Sequence, residues 1–590
     1  MCTVFSGLTA PAREQGAHLP ADNSSAALPV WKSTQDASTR ALHTLRPGEP
    51  VVREAERGSM QAFQVAMSAG QYLRLVVEQQ GADVSVRLLK PDGKPLLERD
   101  KDSPNGMLGP ESVSVRADAD GNYVAEVRAE QFITAGKFEV RVEDLREPTA
   151  SDLKRAEAEI VFAHAQALRS QGTRESFKSA IAKYGEALGL WREGADVYGQ
   201  AYTLCNIGRS YRALGRDYLA DSTQHLNHAL ALLREARDVA GQAFVLNEIG
   251  ASQRDLGNPL DALPYYEEAL ELRRSIGDIW GQAQLFNNSA LIYANTGQYA
   301  KAVENYRKAL PLWSLVRDFN KEANTQTSLA DVYTARGELS FALEQQQRVL
   351  EFSLRAPDKR LEAFVRNNIG KIYDIWGETN TALNHYEGAL EIFRELKMAD
   401  AEALVLDNIG MVYIVLGDTP GALDHFNRAL SIREQRKEPR GLAATLTNIG
   451  YAYTIQGEPS EALKYLERAL PLSKAADYKQ FVAYDLLVTG MAHALLRQTQ
   501  AAHTHYREAL AVEKELEDPR LQAITLIKIG ELHAAAGDAP KALSEYVLAL
   551  ELCEAIGDRQ GRALALHAIA SVERDRGNLE ESRRRIDEAV

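Results

Sequence analysis

His225 and His228 stand three apart in a segment with helical periodicity, so their imidazoles would share one face and could fill two positions of a tetrahedral metal shell. No carboxylate or cysteine is obviously poised to complete that shell, and a solvated helical pair is the simpler expectation. His503 and His505 are two apart and fall on different faces. Asp118, Asp120 and Gly121 are spaced like the opening of a calcium loop, but the remaining ligand positions and the closing Glu are missing, and Asp-Gly ahead of a strand is an ordinary turn. Cys205 would act as a nucleophile only beside a base supplied by the fold; a free cysteine in a packed helix behaves as a small hydrophobe. With Cys2 and Cys553 it makes three cysteines, too few for a disulfide framework. No glycine-rich phosphate loop or nucleophile–base motif occurs in a strand-to-helix context. These residues predict no catalysis, no metal and no cofactor.

The elements that carry them are repeated. From Gly241 to the last residue the chain recurs every 40 residues. One column holds Gly250, Ala290, Ala330, Gly370, Gly410, Gly450, Gly490, Gly530 and Ala570, with Tyr293, Tyr333, Tyr373 and Tyr453 three residues further on. A second column holds Ala262, Ala302, Ala342, Ala382, Ala422, Ala462, Ala502 and Ala542, followed four residues later by Tyr266, Tyr306, Tyr386, Phe426, Tyr506 and Tyr546. Spacings of three and four place these residues on one helical stripe, and glycines such as Gly257, Gly377 and Gly457 break each block in two, so every block is predicted to be a helical hairpin. Such hairpins bury their faces only by stacking. The columns resemble those of the tetratricopeptide repeat, whose basic unit is 34 residues, and the longer block is similar to the repeats of kinesin light chains. The resemblance implies a mainly α fold, an α-α superhelical solenoid of right-handed twist. The unit Gly199–Ala240, with two residues inserted between Gly208 and Ala229, and a weaker unit marked by Ala180, Tyr184 and Ala187 extend the pattern upstream. About eleven hairpins are expected over residues 152–590, packed less regularly at Gln346, Val349 and Arg497. The final unit stops inside its second helix at Glu588, Ala589 and Val590, which predicts either a longer protein or a partner at that end.

Ahead of the repeats the period changes to two. Phe63 and Val65; Leu73, Leu75 and Val77; Val84, Val86 and Leu88; Val113 and Val115; Tyr123, Ala125 and Val127; and Phe138, Val140 and Val142 alternate with polar neighbours, with Pro91-Asp92-Gly93 as a turn. Roughly seven short strands predict a small antiparallel β-sandwich over residues 49–146, with 1–48 a flexible leader and the boundary between Asp144 and Ser151. The segments Ala69–Leu73, Asp120–Tyr123 and Gly136–Val140 resemble the bacterial pre-peptidase C-terminal type of sandwich. Leader, sandwich and repeats in this order resemble the front portion of bacterial proteins that end in a caspase-like CHAT peptidase domain. That resemblance implies a peptidase domain located C-terminally or encoded separately; its His and Cys pair has no match in this chain.

A recurrent asparagine is the residue type hardest to explain by packing alone, because its amide competes with the helix backbone. Asn206, Asn288, Asn368, Asn408 and Asn448 precede the small column by two residues. In the family resembled, matching positions line a concave groove and hold a peptide backbone; the alternative is that they bond adjacent repeats. Beside them Met411, Ile414, Tyr451 and Ile455, with Lys371, Ile375, Val415, Met491 and Leu495, replace the Arg209, Arg212, Arg254, Asp255 and Asp331 of earlier repeats, predicting a groove that changes from charged to apolar. If the columns are rotated from this assignment, the apolar members are core.

The 590 residues are 45% hydrophobic and 25% charged with net charge −14, which suits a solvated helical array and argues against non-specific nucleic-acid binding. No run reaches the roughly 18 to 20 apolar residues of a membrane span. No Lys or Arg precedes Arg13 and the apolar run Val4–Ala10 is short, so the chain as written carries no secretion signal and is expected in the cytoplasm; a signal upstream of the assigned start would place it outside. The reading is a non-enzymatic scaffold for a protein or peptide partner bound at Asn206, Asn288, Asn368, Asn408, Asn448, Met411, Ile414, Tyr451 and Ile455. The alternative is the sensor and substrate-docking part of a CHAT-type protease whose catalytic domain lies elsewhere.

Overall fold

The computed structural model describes residues 42–589 apart from 56–57, 81–83, 100–107, 130–135, 356–357, 477, 517 and 557. The expected leader falls outside the described residues up to residue 41, Cys2 included. The described residues divide into two compact units, one running to Val332 and the other from Tyr333, with the division inside the helix Phe319–Ala335.

In the first unit nine described strands form two sheets: β1 (His43–Thr44), β3 (Met60–Met67), β8 (Gly121–Ala129), β5 (Val84–Leu89) and β6 (Pro95–Arg99) in one, and β2 (Val51–Ala55), β9 (Gly136–Arg146), β4 (Tyr72–Gln80) and β7 (Leu108–Arg116) in the other. All neighbours are antiparallel except β1 and β3, where His43 pairs with Phe63. The alternation seen in the sequence is the inward face: Phe63, Val65, Leu73, Leu75, Val86, Leu88, Tyr123, Val127, Phe138 and Val140 form one buried core. The leader expectation is corrected at its end, because Leu45 is buried in that core and β1 adds a strand to the sheet.

The sandwich is joined closely to the first helices of the same unit. Thr149 and Asp152 form a capping box that starts the helix Ala150–Arg169, and Arg146 at the end of β9 donates to the same Asp152 carboxylate at 2.6 Å. That helix packs on β7 and β6, bringing Ala163 against the sandwich core. Arg74 of β4 pairs with Asp196, the residue that caps the helix Val197–Leu214.

Twenty-two helices among the described residues, from Ala150–Arg169 to Leu579–Ala589, pair into hairpins. Several first helices start where an aspartate side chain accepts from the backbone N–H three residues on, as Asp238 does from Gly241, Asp278 from Gly281 and Asp558 from Gly561. Many end at a glycine in the left-handed region, Gly257, Gly377 and Gly457 among them. Arg497 holds the same conformation at φ 58° without being glycine, so the turn survives the substitution that marked this repeat as irregular. The two extra residues upstream are taken up by a 3-10 turn, Arg216–Tyr218. The small column exists because the facing ring needs it: a Cβ on Gly410 would lie 2.5 Å from Phe426, and on Gly250 2.4 Å from Tyr266.

Candidate functional site

The middle first helices of the second unit bury more than half of their residues. In Ala399–Val415, eleven of 17 residues are buried, so helical periodicity alone cannot separate a groove face from a core face. Met411, Ile414 and Tyr451 are 2%, 1% and 0% exposed and belong to one hydrophobic cluster of the second unit. The expectation that they form an exposed groove is thereby corrected: adjacent first helices pack on the stripe and cover it. Asn206, Asn368 and Asn408 are buried as well, while Asn288 and Asn448 are half-buried. Of the apolar candidates Ile375, Ile455 and Leu495 are exposed.

The polar side chains of this stripe bond from repeat to repeat. Asn408 donates its amide to Asn367 Oδ1 at 2.8 Å, and Asn288 to Asn247 Oδ1 at 2.9 Å, each reaching the preceding hairpin. Thr325 donates to Asn287 at 3.0 Å, Thr445 to Asp407 at 2.9 Å, and Thr447 to Asp485. Asn448 also bonds Asp407, and Arg433 donates to it at 2.9 Å. Asn206 differs, since its amide donates to Tyr202 O on its own helix. Of the two roles open to the asparagines, this arrangement displays the inter-repeat bond.

Several acids of the second unit are buried with few cations near. Burial pushes the Asp374 carboxyl up to about 7. It pushes Asp485 up to about 7 against hydrogen bonds from Ser473 and Thr447, and Glu513 up to about 8 against Thr525. Asp407 is also raised by burial, opposed chiefly by the Arg433 guanidinium. In the first unit Glu248 goes the other way. Burial alone would raise it, but Arg212, Arg209 and Arg169 outweigh that effect and hold it below the ordinary carboxylate range.

An exposed apolar row remains at the C-terminal ends of the first helices in the second unit. Ile375, Ile455 and Leu495 are 43%, 41% and 52% exposed, with Trp376 beside Ile375 and the exposed Leu416 closing the intervening first helix. Each of these helix ends belongs to a successive hairpin except that Val415, half-buried, occupies the intervening one.

The chemical candidates resolve into local structure. His225 is bonded to Asp221 O and lies against Tyr211. His505 stacks on His493 of the same hairpin at 5.2 Å, and His503 meets His533 edge-on at 5.9 Å, pairings that sequence reading missed because each partner is on another helix. For His493 and His505 the signal was available as a twelve-residue separation, which also stacks Tyr373 on His385 and Tyr413 on His425. Asp118 pairs with Lys90 and accepts from Tyr123 Oη, and Asp120 accepts from the Ala69 N–H, so both carboxylates brace a turn. Burial pushes the Cys205 thiol up to about 12, away from the thiolate a nucleophile needs. Among the described residues no three His, Cys, Asp or Glu side chains group as a metal shell. No described helix is long and apolar enough to cross a membrane.

A family model described as tetratricopeptide repeat matches residues 281–355, 322–395, 399–475, 441–515 and 521–590, together more than half of the chain. No curated protein matches it. Among solved structures, it is similar to BtubC (BKLC) from P. vanneervenii at 24% identity and a TM-score of 0.33, over 36% of this chain and 91% of that one. It is similar to the apo form of the quorum sensor NprR from B. thuringiensis at 18% identity and a TM-score of 0.42, over 61% and 97%. A putative kinesin light chain with nearly identical TPR-like repeats from Podosopora anserina aligns at 15% identity and a TM-score of 0.28, over 33% and 96%.

Proposed function

The chain belongs to the tetratricopeptide repeat family, and on that premise we propose that it is an interaction scaffold whose second unit holds an extended peptide segment of a partner protein. One observation carries the reading: the exposed apolar row Ile375, Trp376, Leu416, Ile455 and Leu495, which recurs in step with the hairpins. It moves the proposed contact away from the buried Met411, Ile414 and Tyr451 to the rim of the first helices and keeps Ile375, Ile455 and Leu495. Packed helices lie about 8–10 Å apart, and an extended chain advances about 3.3 Å per residue, so each hairpin matches about three peptide residues. The partner segment should therefore carry apolar side chains about three residues apart. The reading assigns no reaction to this polypeptide.

Selection of a random peptide display library on the full chain tests it. Enriched peptides should show the three-residue apolar spacing, and Trp376→Ala and Ile455→Ser should each weaken them about tenfold or more while leaving the melting temperature close to that of the parent. Enriched peptides that bind both variants as tightly as the parent would show that the row is not the docking surface.

A further inference from the structure

Two successive junctions of the second unit enclose an acid without a cation. Asp485, on the helix Lys479–Leu495, reaches back to the preceding hairpin, where Thr447 Oγ1 contacts its Oδ1 and the Ser473 hydroxyl lies beside it. Glu513, on Thr499–Glu515, reaches forward to the next hairpin, where Thr525 donates to its Oε1 at 2.7 Å. Both acids are fully buried, and among the described residues Asp485 Oδ2 and Glu513 Oε2 meet no hydrogen-bond partner. The other groups that act on them are Tyr484, next to Asp485, and Asp518, whose like charge faces Glu513. The preceding junction is built differently, since buried Asp407 accepts from the Arg433 guanidinium at 2.9 Å. In the next two repeats the position of Arg433 holds Ser473 and Glu513. The hydroxyl at the first joint also counts protons. Thr447 Oγ1 lies 2.9 Å from Ala443 O on its own helix as well as against Asp485. A hydroxyl has one proton and a carbonyl only accepts, so with that proton on Ala443 O the contact to Asp485 needs a proton on the carboxyl.

We propose that these two junctions form a hinge in the array, latched by one proton on each carboxyl. With its proton the acid lies inside the joint; without it the hairpins part until water reaches the charge, because an ionised carboxylate is far costlier to bury than a neutral one. The hairpin made by Lys479–Leu495 and Thr499–Glu515 lies between the two joints, so opening both frees it to turn while its neighbours stay folded. Burial pushes Asp485 up to about 7 and Glu513 up to about 8, so the closed joints are favoured at lower pH and are lost as pH rises through those values. His503 and His533 meet across the second joint and act in the other direction, since loss of a proton there removes a repulsion.

Hydrogen exchange of the full chain, read by mass spectrometry at pH 6 and pH 9 and corrected for the intrinsic pH dependence of exchange, tests the hinge. Protection in residues 439–535 should fall about tenfold or more between the two conditions, the change that one pKa unit of proton release supplies. The flanking helices Thr419–Arg436 and Ala539–Ile556 should keep theirs. D485N should abolish the loss at the first joint and E513Q at the second, each leaving the response of the other joint in place. Protection that does not change with pH, that falls equally along the whole unit, or that falls as far in D485N/E513Q as in the parent overturns the proposal. Should the variants lose their fold, the parent decides, and a loss of protection in residues 439–535 with no midpoint between about pH 6.5 and pH 8.5 overturns it.

Discussion

The same helix positions carry arginine and glutamate in the first unit and methionine, isoleucine, tyrosine and asparagine in the second. In the first unit Arg209 and Arg212 stay partly in solvent around Glu248, whose charge they stabilise. In the second, Met411, Ile414 and Tyr451 are sealed in the core, and the acids near them are raised by burial. A repeat position therefore has no fixed role. Whether it becomes surface or core depends on whether its neighbours bring charge that must remain solvated or apolar area that closes over it.

The contrast makes its largest claim in pH. Asp485 has a folded pKa near 7 against an ordinary value near 3.8, and Glu513 near 8 against 4.5. A raised folded pKa gives stability that is complete below the unfolded value and is lost as pH rises through the folded one. The second unit should therefore melt progressively lower from about pH 5 to pH 9, with each of these groups contributing on the order of 1.4 kcal/mol per pH unit between its two pKa values. Asp485→Asn keeps an acceptor for Thr447 and should raise the melting temperature at pH 8, with little effect at pH 5. A melting temperature that is flat with pH would remove the distinction between the units.

A smaller difference separates two asparagines of one column. Asn408→Ala removes a bond to the preceding hairpin and strands Asn367, at a cost of about 1–3 kcal/mol of stability. Asn206→Ala, whose amide bonds only its own helix, should cost about 1 kcal/mol or less. Denaturant melts of the two variants with equal losses would mean that the inter-hairpin bond is not what the column supplies.

The smallest effect is at Arg497. A non-glycine residue in the left-handed region costs about 1–2 kcal/mol, while glycine adds about 0.4–1 kcal/mol of unfolded-state freedom. Arg497→Gly should therefore stabilise the second unit by up to about 1 kcal/mol, which a chemical denaturation midpoint would register.

Much of this architecture was legible because it repeats. The glycine column announces a ring packed against it, and second helices such as Thr419–Arg436 bury one narrow stripe, Ala422, Phe426, Ala429 and Arg433, that a period of 3.6 reveals. The inward residues of the sandwich alternate as a half-buried sheet requires. Two strands escaped notice for physical reasons: β1 is two residues long, and β6 follows the Pro91–Gly93 turn with too little alternation to register. The site was misplaced for another reason. The helix Pro439–Gln456 buries most of its residues, so Tyr451 and Ile455, one helical turn apart, look alike in sequence although one is core and the other is 41% exposed.

The constant 40-residue phase also sets how the second unit would respond to tension. Among the described residues its helices touch chiefly the next one or two along the chain, so an end hairpin is held mainly by its immediate neighbours. Stretched between its termini, it would lengthen in steps of nearly uniform size, each releasing about 140 Å of contour for one block at about 3.5 Å per residue. Such a segment is an extensible tether with evenly spaced notches.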